Sequence, residues 1–89
     1  MTELEILARI IWGEAEAETQ NGKVGVGASI VNQAEAEDIT ILQVIQAPGQ
    51  FEAYANNRFW QAPYNTNEPS IVSAKQAASR TLQGEDQTN

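Results

Sequence analysis

The chain contains neither cysteine nor histidine, and only five Lys+Arg stand against twelve Asp+Glu. Without cysteine there is no disulfide and no thiol nucleophile. Without histidine every Ser-His or Cys-His mechanism is excluded, and so is a zinc site of the usual kind. The net charge of −7 leaves no clustered positive charge for phosphates, so no nucleic-acid partner is expected. The same balance argues against docking on an anionic membrane surface. No apolar run approaches the roughly 20 residues that cross a bilayer, so no membrane insertion is expected. The N-terminus carries no basic segment followed by an apolar core, so no secretory signal is read there and the compartment stays open. If the chain is an enzyme, carboxylates carry most of its chemistry.

What remains is an ordinary folded composition, 42% apolar and 19% charged over 89 residues, enough for one small domain spanning residues 1–89. Thr2 with Glu5 fits a capping box, and Leu4, Leu7, Ile10 and Ile11 recur at helical spacing, predicting an amphipathic helix from residue 3 to about 17. Thr19-Gln20-Asn21-Gly22 reads as its stop and turn. Residues 23–33 are ambiguous. Val24, Val26, Ala28 and Ile30 alternate as in a strand, yet Val24, Ala28 and Val31 also share a helical face. Residues 34–38 read as a solvated acidic connection. Thr40 is placed to cap a short helix through Gln46, stopped by Pro48-Gly49. Residues 52–67, with Tyr54, Phe59, Trp60 and Tyr64, read as a long aromatic-bearing loop with few apolar anchors that covers a cleft. Asn67-Glu68-Pro69 opens a last helix with an apolar stripe of Ile71, Ala74, Ala78 and Leu82, closed by Gly84 and followed by a polar, frayed tail.

On a helical wheel Glu14 falls inside the apolar arc of the first helix, three and four residues beyond Ile11 and Ile10. A carboxyl on such a face is desolvated and holds its proton, the state a general acid needs. The competing reading is a helix end emerging into water. Glu18 returns to the same arc if the helix persists. Glu14, Glu16 and Glu18 do not share a face and no calcium-loop pattern exists, so no metal and no cofactor is expected. Tyr54 and Trp60 suit stacking on sugar rings, and equally suit a core.

Several segments together resemble one family. Leu7-Ala8-Arg9-Ile10-Ile11-Trp12-Gly13-Glu14-Ala15, then Glu18, then the run from Gly22 to Asn32, is similar to the opening of the spore-cortex-lytic cell-wall hydrolases (SleB/CwlJ type). That family has a Gly-Glu-Ala-Arg-Gly-Glu stretch, a short turn, and a Gly-Gln-Val-Ala-Val-Ala helix ending in Leu-Asn-Arg. Val44-Ile45-Gln46-Ala47-Pro48-Gly49-Gln50-Phe51 resembles its Val-x-Tyr-x-Pro-Gly-Gln-Phe motif, and Ala74, Ala77, Ala78, Leu82 and Gly84 follow its last helix. Departures are Glu16-Ala17 for Arg-Gly, Gln33 for the Arg after the helix-ending Asn, and Gln46 for the Tyr.

The resemblance implies a mainly α, reduced lysozyme-like domain, and it turns residues 23–33 from strand to helix. It implies a lytic transglycosylase acting on peptidoglycan glycan strands, with Glu14 as the single acid/base. Gln50 and Phe51 would line the cleft, and Tyr54, Trp60 and Glu18 would contact substrate, Glu18 more as a structural or tuning group. The family pattern continues beyond a segment like Asp86-Gln87-Thr88-Asn89, so a further segment or other chains are expected to complete the domain. By the same resemblance the setting is the cell wall, the periplasm or a virion. The alternative class is a non-catalytic structural or wall-binding module of a phage particle or larger assembly, which the acidic balance favours because peptidoglycan stems are themselves acidic.

Overall fold

The computed structural model describes residues 1–84, and within them the chain forms six helices and no strand. They are α1 (Glu3–Ala15), α2 (Gln20–Glu37), α3 (Ile41–Gln46), α4 (Glu52–Ala55), α5 (Arg58–Gln61) and α6 (Pro69–Leu82). The mainly α expectation therefore holds. The expected polar tail, residues 85–89, lies outside the described residues.

Helix α1 is the centre of the molecule. Leu7, Ala8, Ile10 and Ile11 have no exposed surface, and Ile6, Trp12 and Ala15 are buried too. An element buried on nearly every side needs neighbours all round. Helices α6, α2, α3, α4 and α5 all pack on it. The Thr2 hydroxyl accepts from the Glu5 amide as expected, but the Glu5 carboxylate reaches forward to Arg9 at 3.0 Å. The box is thus half formed, because an i,i+4 Glu–Arg pair competes for the same carboxylate.

Helix α2 decides the ambiguity of residues 23–33 for the helix that the family resemblance implied and against the strand-like alternation, and it corrects two further expectations. Thr19 starts this helix, its hydroxyl accepting from Gly22 N at 3.0 Å, where the turn reading had made it a stop for the first helix. The acidic connection is the last turn of the same helix, closed by Asp38 in the left-handed region at φ 55°. Its exposed side chains are solvated, as expected, but its backbone is helical. Glycine lowers helix propensity by about 1 kcal/mol each, so packing must sustain α2. At Gly27 a Cβ would lie 2.5 Å from Thr81 Oγ1, so only glycine lets α2 approach α6 this closely.

The segment read as a loop over 52–67 carries α4 and α5, one turn each. It is anchored by Ala53, Phe59 and Ala62, all buried, with Phe59 fully so. These anchors follow no simple period, which is why the sequence hid them. Helix α3 has the capping box that α1 lacks, with Thr40 Oγ1 accepting from Gln43 N and Gln43 Oε1 from Thr40 N. Pro69 opens α6 as expected. Ile71, Ala74, Ala77 and Ala78 are buried, but in the last turn it is Thr81 that is buried against α2, and Leu82 is 38% exposed.

Candidate functional site

Glu14 lies in the last turn of α1 and is exposed. The desolvated carboxyl expected from the wheel is not there, because Ala15 takes the buried place where α1 runs out from under its neighbours. The carboxylate is nevertheless held. Its Oε2 accepts from the Ala53 amide at 2.6 Å. Ala53 is the second residue of α4, whose own N-cap, Phe51, offers no side-chain acceptor. Glu14 therefore caps α4 from 39 positions away, satisfying an amide that a one-turn helix leaves free.

This contact depends on Gly13. A Cβ there would lie 2.7 Å from the Ala53 Cβ, so a side chain would push α4 off the end of α1. The turn between α4 and α5 is fixed by Asn57 at φ 67° and by Asn56 Oδ1, which accepts from Arg58 N at 3.0 Å.

Glu14 stands between two hollows. One, of about 430 Å³, is lined by Glu14, Gly22, Gly25, Val26, Ser29 and Phe51. Its wall is one face of α2, with small residues at helical spacing, and space around Gly25 is open. The other, of about 270 Å³, is lined by Gly13, Glu14, Glu52, Ala53 and Asn56. Neither lining includes a Lys or Arg. Among the described residues no three carboxylates converge as a metal ion would require. No helix of the described residues is long and apolar enough to cross a membrane.

The site residues named from sequence fare differently. Phe51 joins Glu14 at the larger hollow. Gln50 adjoins it in sequence, but its amide is engaged with Gln33, donating at 2.7 Å and accepting at 3.4 Å. Tyr54 turns away, its hydroxyl accepting from Gln46 Nε2 and its ring 5.5 Å from Phe59. Trp60 is 53% exposed and meets Phe59 edge-on at 4.9 Å. Glu18 follows the end of α1 in the linker to α2, so it is not one turn beyond Glu14; its carboxylate lies beside Gly22. Tyr54, Trp60, Gln50 and Glu18 line neither hollow against Glu14. Sequence reasoning missed Glu52, Asn56, the Ala53 amide and the small-residue face of α2. That face was legible as Gly22, Gly25, Val26 and Ser29 once residues 23–33 are taken as a helix.

Comparison with known proteins bears on this arrangement. A spore cortex-lytic enzyme of Oceanobacillus iheyensis is 28% identical over 74 residues, covering 81% of this chain. The chain spans 27% of that relative's length. No solved structure matches. The family model for cell wall hydrolases matches residues 17–89, beginning just after the turn of α1 that carries Glu14. On that match, which takes in most of its length, the chain belongs to the cell wall hydrolase family.

Proposed function

We propose that the chain is a peptidoglycan-cleaving lytic transglycosylase domain, reduced and lysozyme-like, in which Glu14 is the acid/base. The observation that carries this reading is the position of Glu14 between two hollows with one oxygen fixed by the Ala53 amide. A single carboxyl suffices for such a reaction. The protonated Glu14 gives its proton to the oxygen linking N-acetylmuramic acid to N-acetylglucosamine as the C1–O bond breaks. The carboxylate then takes the proton of the muramic 6-hydroxyl while O6 bonds to C1, closing a 1,6-anhydro ring. Phe51 offers an apolar ring to a sugar face, and the small residues of α2 leave room for it.

A second reading is favoured by Glu52, which lines the smaller hollow beside Glu14. Hydrolysis uses two carboxyl groups, one giving its proton and one activating water or acting as nucleophile. The products distinguish the two. Purified peptidoglycan is digested and the fragments are weighed by mass spectrometry. Anhydro-muramyl ends that disappear in Glu14→Gln support the transglycosylase. Reducing ends that disappear in Glu52→Gln make it a hydrolase. No cleavage hands the chain to the non-catalytic wall-binding or structural class.

A further inference from the structure

Arg58 touches the chain on both sides of Glu14. Its Nε donates to the Gly13 carbonyl at 3.3 Å and its Nη2 to Glu16 at 2.5 Å. Its guanidinium carbon stands 4.2 Å from the centre of the Trp12 ring. Helix α1 has no basic residue in its last turn, where the carbonyls carry partial negative charge. Arg58 supplies that charge from another element. Helices α4 and α5 are four residues each, far too short to persist unaided. Ala53 fits the notch at Gly13 and Phe59 is buried beneath the segment. Both contacts are apolar and carry no direction. Two arginines supply it: Arg9 Nη1 donates to the Phe59 carbonyl at 3.4 Å, at the far side of α5, and Arg58 makes the tie to the carbonyl next to Glu14.

We infer that Arg58 is the positioning residue of this site, fastening α4 and α5 to the end of α1 so that the Ala53 amide stays on the Glu14 carboxylate. The inference deepens the reading of Glu14 as acid/base and rests on it for its catalytic consequence. Arginine suits the place because a planar fork meets a carbonyl, a carboxylate and an aromatic face together, whereas an ammonium is a point charge. With the amide on Oε2, the other carboxyl oxygen is left for the reaction, and loss of such alignment lowers turnover more than binding.

The test is an amide NMR comparison of the full chain with Arg58→Met and Arg58→Lys, alongside peptidoglycan kinetics. In the wild type the short bond to the Glu14 carboxylate moves the Ala53 amide proton downfield and protects it from exchange. In Arg58→Met that downfield shift is lost, Ala53 exchanges with solvent at least about 10-fold faster, and kcat falls roughly 10- to 100-fold with KM little changed. Arg58→Lys lies between. A wild-type Ala53 shift and exchange rate in Arg58→Met overturns the inference, whatever the activity does. If Arg58→Met does not fold, the same signals in Arg58→Lys decide. Glu14→Gln separates the two claims: undiminished cleavage there overturns the acid/base reading, while the Ala53 comparison still decides Arg58.

Discussion

The Ala53 amide donates to Glu14 Oε2 at 2.6 Å, joining the first helix of the chain to a one-turn helix 39 residues later. A flexible, exposed glutamate is thereby given one bonded and one available oxygen. The geometry needs an empty Cβ position at Gly13, a buried Phe59 and a cation from Arg58.

Gly13→Ala tests the notch. The new methyl would meet the Ala53 Cβ at 2.7 Å, and a Cβ moves only with its backbone. Overpacking of this kind destabilises by about 1–3 kcal/mol, more than the roughly 1 kcal/mol that alanine gains over glycine in a helix. Urea unfolding is expected to show a lower midpoint, and Gly13→Ala with Ala53→Gly to recover most of it. An unchanged midpoint in the single variant would mean that α4 yields freely.

Gly27→Ala tests the α2–α6 contact in the same way. Thr81 Oγ1 would lie 2.5 Å from the added methyl, and that hydroxyl is held by donation to the Ala77 carbonyl at 2.9 Å. A loss of about 1–3 kcal/mol is expected. Thr81→Ala in the same chain should return part of it, with a coupling of about 0.5–3 kcal/mol in a double-mutant cycle. Strict additivity would place the strain elsewhere.

Phe59→Ala removes the largest fully buried side chain. Such truncations take about 3–5 kcal/mol from a total that for small domains is about 5–15 kcal/mol. Thermal unfolding should shift down by many degrees, and Trp60, which meets the Phe59 ring edge-on, should change its fluorescence before the rest of the fold is lost. A Tm near wild type would show that α5 is not part of the cooperative core.

Lys23 is 7% exposed and its Nζ donates to Ser73 Oγ at 2.9 Å, while among the described residues no carboxylate pairs with it. Ser73 in turn donates to Gln20 Oε1 at 2.6 Å and stays satisfied without the lysine. Lys23→Met keeps the apolar stem and removes a buried charge, so stability should hold or rise by about 1 kcal/mol. Lys23→Ala loses the stem's packing and should be the less stable of the two in urea. The reverse order would assign Lys23 an electrostatic role in holding α2 to α6.

The helical periodicity of Leu7, Ile10 and Ile11, the Thr40 cap, the Pro48-Gly49 stop and Pro69 at the start of α6 were all legible because each is a local signal, written within a few residues. Glu14 was legible as a position on a wheel. Its environment was not, since the wheel cannot say where α1 leaves the core. Residues 23–33 spell a strand by alternation and fold as a helix because Gly27 admits Thr81 from a helix more than fifty residues away. Glu52 and Arg58 carried no pattern at all. They reach the site through the Asn57 turn and the burial of Phe59, which place two one-turn helices against Gly13. Local propensity and spacing determined the long helices; close packing at glycines and hydrogen bonds between distant segments decided the site.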